Sequence, residues 1–190
     1  MQRPDDKKRQ AILDAAGSLF GKRPYHEVRL DDVAEIARVG KGTVYIYFKG
    51  KDDLYGALLH DGFAQLLDRV RKHTADESTS AWDTLSRVVR EFVGWAKTSP
   101  HLFHLMRAGN EMPPVPRLRE KRRELGKLIE QILVRGVKAG EFDDPRPDLT
   151  AQFIPSCVRG VLRHGPADVG VDALSNQILR VIGGGIRRNK

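Results

Sequence analysis

Apolar residues recur along this chain at three- and four-residue intervals almost from end to end, with no sustained strand-like alternation. Ile12, Leu13, Ala16, Leu19 and Phe20 share one stripe and predict a first helix from Asp5–Asp6 to Phe20, stopped by Gly21. After the connector KRPYHEV, a second helix is expected from about Leu30 to Ala37, burying Leu30, Val33, Ala34 and Ala37. Asp31 and Asp32 complement the positive end of its dipole. The turn Arg38-Val39-Gly40 leads into a third helix, Lys41 to Phe48, which Lys49-Gly50 breaks. A long fourth helix follows, from Lys51 to about Lys72.

The pattern then shifts at HTADESTSA, where Ser80 and Asp83 resemble a capping box. A helix from Ala81 to Lys97 carries Trp82, Leu85, Val89, Phe92, Val93 and Ala96 on one stripe, and Ser99-Pro100 opens a shorter one from His101 to about Ala108. Pro113-Pro114-Val115-Pro116 is a breaker. Helices are expected from about Arg117 to Lys138, from Leu149 to His164 and from Val171 to Ile182, with Gly183-Gly184-Gly185 ending or loosening the last. The fold class is all-α, with about nine helices. A helix-turn-helix domain over 1–55 precedes a larger helical domain over 56–190, and the fourth helix links them.

The chemistry concentrates between Val39 and Leu54, VGKGTVYIYFKGKDDL. Val44 and Phe48 lie one turn apart and can be buried together; at ~100° per residue this turns Gly42 and Ile46 away from the core, with Thr43 and Tyr45 on the flanks. A face of glycine, hydroxyls, an aliphatic and lysines suits a polyanion whose base edges carry methyl groups. Two short helices joined by three residues and preceded by a third make a helix-turn-helix unit, whose second helix enters the major groove by its N-terminal residues. Lys41 can then reach guanine O6/N7 or a phosphate, and Gly42 lets the backbone approach the bases. Tyr45 and Ile46 can pack on thymine methyls, while Thr43 and Tyr47 offer hydroxyls to phosphates. Lys51 stands at the first turn of the fourth helix, which favours an anion. Arg29 and Arg38 complete the candidate DNA-binding set. Two readings compete: Tyr45, Ile46 and Tyr47 could form a protein interface in an interaction module that binds no specific DNA, and Ile46 could be a buried core residue.

Charge qualifies this picture. The net charge of +8 over 190 residues fits a nucleic-acid partner, but from Met1 to Tyr55 there are 11 Lys/Arg against 9 Asp/Glu. The excess lies downstream, much of it between Arg117 and Lys138, so the motif identifies the DNA-binding part where bulk charge does not. Cys157 is the lone cysteine, excluding an internal disulfide and a cysteine zinc site. No apolar run approaches the ~20 residues of a membrane span, and the polar N-terminus lacks a signal-peptide core, so a cytoplasmic protein is expected. No Ser/His/Asp arrangement or paired-carboxylate setting supports an enzyme, and RVGKGTVY lacks the G-x-x-x-x-G-K-[ST] spacing of a phosphate loop. No cofactor is implied.

LDDVAEIARVGKGTVYIYFKGKDDLYGAL resembles the DNA-binding domain of the TetR (tetracycline-repressor) family. The matching positions are Val33-Ala34, Ala37, Lys41-Gly42-Thr43-Val44-Tyr45, Tyr47-Phe48, Lys51 and Leu54, with Ile12, Ala15-Ala16 and Leu19-Phe20 in the first helix. The resemblance spans roughly Arg9 to Leu59. It implies a homodimeric transcription factor, usually a repressor, that binds a palindromic DNA operator and is released by a small-molecule effector. Arg38 departs from a frequent glycine in the turn; if that position needs φ > 0, arginine costs roughly 1 kcal/mol.

The resemblance also implies that the last two helices pair with those of a second copy. Phe153, Cys157, Gly160, Val161, Leu174, Ile178 and Val181 are the candidate dimer residues, with the intramolecular core as the competing use. An effector pocket would lie among the middle helices, with Phe92, Trp95, His101, Phe103, His104, Met106 and Arg107 as candidates. His101 and His104 could chelate a metal, but no third ligand is evident nearby and no metal site is assigned.

Overall fold

The computed structural model describes residues 5–76, 78–99, 116–164 and 168–187. Eight α-helices are present among them: α1 (Asp6–Phe20), α2 (Leu30–Ile36), α3 (Lys41–Tyr47), α4 (Lys51–Thr74), α5 (Ala81–Thr98), α6 (Pro116–Lys138), α7 (Pro147–His164) and α8 (Val171–Ile186), with one 3-10 turn at Tyr25–Glu27. The helix expected over His101 to Ala108 lies outside the described residues. The chain divides into two compact units, Met1–Phe63 with Ser99–Leu118 and Ala64–Thr98 with Arg119–Lys190, so that the first division falls inside α4, the helix expected to link the domains, with the change of domain expected around Asp61 to Asp76.

The first unit is built on the stripe of α1. Ile12, Leu13, Ala16, Leu19 and Phe20 are buried together with Val33 and Ala34 of α2, Val44 of α3 and Leu54 and Tyr55 of α4. Asp5 caps α1, its carboxylate accepting the Lys7 N–H at 2.9 Å. Phe20, Tyr25 and Tyr55 form an aromatic cluster, with ring centroids 5.2–5.6 Å apart. Tyr25 donates to the Asp52 carboxylate, and burial followed by that bond pushes its hydroxyl pKa up. The connector KRPYHEV is thereby fixed against the start of α4.

In the second unit α5 packs on α7 and α8, and its buried face includes Leu85, Val89, Phe92, Val93, Trp95 and Ala96. Ser80 accepts the Asp83 N–H at 3.0 Å, as the capping pattern implied. A second cap arrives from 60 residues away: the Glu141 carboxylate accepts the N–H groups of Ala81 and Trp82 at 3.0 and 3.1 Å. Gly140, at φ 73°, makes the left-handed turn that ends α6 and presents Glu141.

The glycine run does not end the last helix. α8 continues through Gly183-Gly184-Gly185 to Ile186, because the indole of Trp82 occupies the space a side chain at 183 would need: a Cβ there would lie 2.7 Å from the ring. Arg187 covers that indole at 4.7 Å, and the Asp143 N–H donates to the Ile186 carbonyl at 2.8 Å. Packing thus holds a segment whose propensity disfavours helix. Pro155 likewise sits inside α7 without ending it, at the loss of one backbone donor.

Candidate nucleic-acid interface

The turn between α2 and α3 is closed by backbone bonds from Arg38 N–H to Glu35 O and from Val39 N–H to Ala34 O, each 3.0 Å. To make it, Arg38 adopts φ 54°, the left-handed region that costs a residue with a Cβ roughly 1 kcal/mol. The condition set by the sequence comparison is therefore met. Arg38→Gly is expected to raise folding stability by about 0.5–1 kcal/mol, less than the full relief because glycine also loosens the unfolded chain. The same change should weaken DNA binding and flatten its salt dependence, since an exposed guanidinium beside the reading helix is lost. Denaturant titration and fluorescence anisotropy at two salt concentrations check both.

Val44 and Phe48 are buried, and their burial turns the opposite side of α3 outward. Ile46 is 67% exposed and Tyr45 51% exposed, which settles the question of Ile46 as core: it is surface. Among the described residues, and apart from its chain neighbours and the backbone of its own helix, no atom comes within 4 Å of a Cβ built on Gly42. Thr43 is half-buried on the flank of this face, and Arg29 is exposed just ahead of α2. Glycine, aliphatic and phenol ring thus stand together on one uncovered helix surface.

Other candidates are held by the protein itself. Lys41, the first residue of α3, sits against Asp31 with Nζ 2.8 and 3.0 Å from the two carboxylate oxygens, and that bond raises its pKa. Tyr47 does not present a free hydroxyl to a phosphate: its Oη accepts the Asp5 N–H at 2.7 Å and lies 3.1 Å from the Asp5 carbonyl, to which it donates. Lys51 turns inward as well. Its Nζ donates to the Tyr25 carbonyl at 2.9 Å and stands 4.5 Å from the Tyr25 ring centre, bracing the 3-10 turn. Arg9 completes the framework, pairing with Asp61 of α4 at 2.6 Å and lying 5.8 Å from the Phe48 ring centre. The pairings of Asp5, Arg9, Asp31 and Asp61 escaped the sequence reading, which gave Asp5 and Asp31 only helix-start roles, because their partners lie 10 to 52 residues away. No periodic signal carries such pairings.

In the second unit, the candidate dimer residues separate into two groups. Phe153 is 65% and Val181 60% exposed, Gly160 is exposed, and Cys157 and Val161 are half-buried. Leu174 and Ile178, by contrast, are buried in the chain's own core, while Val181, one and two turns further along α8, is left at the exposed edge of that face. They are corrected from interface to core. Of the candidate effector residues, Phe92 and Trp95 are buried core side chains, while His101, Phe103, His104, Met106 and Arg107 lie outside the described residues. Two open grooves of about 840 and 860 Å³ are lined around Gln131 and Arg135 and around Trp82 and Arg187; neither is lined by Phe92 or Trp95. Among the described residues no three His, Cys, Asp or Glu side chains gather to hold a metal, and no helix is long and apolar enough to cross a membrane.

Residues 12–58 match the model of bacterial regulatory proteins of the tetR family, and residues 78–163 match that of the tetracyclin repressor-like C-terminal domain. The fatty acid metabolism regulator protein of Bacillus subtilis is 27% identical over 150 residues, covering 72% of each chain. Among solved structures, the fatty acid degradation regulator FadR of Bacillus halodurans superposes with a TM-score of 0.82 at 22% identity, covering 99% of this chain and 100% of the other. The transcriptional regulator FadR of Bacillus subtilis, solved in complex with stearoyl-CoA, gives 0.81 at 22% identity, covering 94% and 99%. With an outward-facing third helix on a helix-turn-helix and an all-helical second unit, this chain belongs to the TetR family of bacterial regulatory proteins and is a DNA-binding transcriptional regulator, not an enzyme.

Proposed function

We propose that this protein represses transcription from a palindromic operator as a homodimer and lets go when a long-chain acyl-CoA enters its helical domain. The observation that carries the DNA half is the uncovered α3 face. Gly42 has nothing near it, and Ile46 and Tyr45 stand in solvent where a free protein gains nothing from them. In this reading Gly42, Tyr45 and Ile46 meet the bases, Lys41 reads beside them, and Thr43, Arg29 and Arg38 reach phosphates. Tyr47 and Lys51 serve by holding α3 to α1 and to the connector. The two reading helices of a dimer would stand roughly 34–36 Å apart, one turn of DNA. Such a regulator works in the cytoplasm, beside the chromosome.

The effector half is supported by the relatives: one regulates fatty acid metabolism and another was solved with stearoyl-CoA bound. In the sequence, the run from His101 to Arg107 carries aromatic, adaptable and cationic side chains suited to an acyl chain with an anionic head.

The test is anisotropy of the purified protein on DNA from upstream of its own gene, titrated with stearoyl-CoA, free CoA or stearate. Stearoyl-CoA is expected to release the DNA and to raise the melting temperature, since ligand at 100 times its Kd adds about 2.7 kcal/mol of stability. Stearate and CoA should do neither. A complex that survives saturating stearoyl-CoA sinks the effector assignment, and binding blind to the palindrome sinks the operator.

A further inference from the structure

We infer that Asp31 is a specificity-determining residue, holding Lys41 off the phosphates so that it reads bases; this rests on α3 being the reading helix. Lys41 opens α3 and Asp31 sits in the first turn of α2, and the ion pair spans the turn between them. Both side chains are about 60% exposed, so the pair stands at the surface, beside the residues expected to meet DNA. A carboxylate there repels phosphates at every sequence. Helix polarity does not account for it: Asp32, next along, serves the same dipole and pairs elsewhere, with Arg23 at 3.0 Å. An exposed ion pair also contributes little to stability.

What the pair changes is the behaviour of the lysine. A free ammonium on a four-carbon stem is a mobile point charge that settles on phosphate and adds affinity without information. Gripped by both carboxylate oxygens, Lys41 keeps an N–H to give to guanine O6 or N7, while Asp31 can accept from cytosine N4 or adenine N6. A base presenting an oxygen to that carboxylate is refused. The pair therefore turns a sequence-blind cation into a donor and acceptor of fixed spacing.

The test compares parent, Asp31→Asn, Lys41→Ala and the double variant, as full-length protein, on an operator duplex and a scrambled duplex of equal length across a salt series. Asp31→Asn should bind scrambled DNA at least fivefold more tightly, with a salt slope steeper by about 0.9 for each subunit as Lys41 takes up a phosphate. The ratio of operator to scrambled affinity should fall about tenfold, Asp31→Glu should restore much of it, and in the Lys41→Ala background Asp31→Asn should change the ratio by no more than about twofold, the share of the carboxylate's own base contact. Partial unfolding weakens both duplexes equally, so the ratio reads specificity alone. Equal changes on the two duplexes, or a full effect without Lys41, overturn the inference while leaving α3 as the reader. If Lys41→Ala and Gly42→Ala both leave operator binding intact, the reading helix is misassigned and both conclusions fall.

Discussion

Gly42→Ala is expected to make the protein slightly more stable and at least tenfold weaker on its operator. The two effects have opposite signs because they have different causes. Within the chain, a Cβ at 42 meets nothing within 4 Å, so alanine brings no clash and removes the backbone entropy that glycine carries in a helix, a gain of up to about 1 kcal/mol. Against DNA, the same methyl stands between the α3 backbone and the base edges at the point where the helix enters the groove. A tenfold loss corresponds to about 1.4 kcal/mol, a modest demand for a methyl group forced into a close-packed contact. Denaturant melts should show the gain, and anisotropy on operator DNA the loss. If Gly42→Ala is stabilised yet binds as tightly as the parent, the backbone at 42 does not approach DNA.

Glycine at this position is thus costly to the free protein and unexplained by it, a pattern expected where a local rule is broken for a partner. The sequence exposed the position through periodicity alone. Val44 and Phe48 had to share a side, and the 3.6-residue turn then left Gly42 and Ile46 facing out, as the structure has them. The same reasoning recovered α1, α2 and α5, whose stripes are wide and whose stops are local. It failed where distant residues decide. Gly183 to Gly185 read as a stop because propensity is a local quantity, whereas the Trp82 indole that holds the helix together there lies about 100 positions earlier. Tyr47 and Lys51 read as phosphate contacts because a hydroxyl and an ammonium beside a reading helix suit that use. Nothing in the spacing shows that Asp5 and the Tyr25 carbonyl already claim them.

The terminal helices give the second large effect, and here too one helix carries two fates. Ile178 and Leu174 are buried, while Val181, at 60%, and Phe153 on α7, at 65%, are left in solvent by their own chain. A phenyl ring and an isopropyl group exposed on neighbouring helices, with no side chain among the described residues within 4 Å of a Cβ built on Gly160, are what we propose as the apolar centre of an interface with a second copy. The double change Phe153→Glu, Val181→Glu buries no new charge in the folded monomer, so its melting behaviour at low protein concentration should stay near that of the parent. Across a two-fold contact it places four carboxylates against an apolar surface. The protein should sediment as a monomer and lose operator affinity by at least 100-fold, because each half-site must then be bound alone. Ile178→Ala should do the reverse: it removes about 2–5 kcal/mol of folding stability whatever the protein concentration, and the molecules that remain folded still dimerise. A double glutamate variant that stays dimeric would move the interface off this face. An Ile178→Ala variant that unfolds less on raising protein concentration, with a melting temperature that otherwise matches the parent, would return that side chain to the interface.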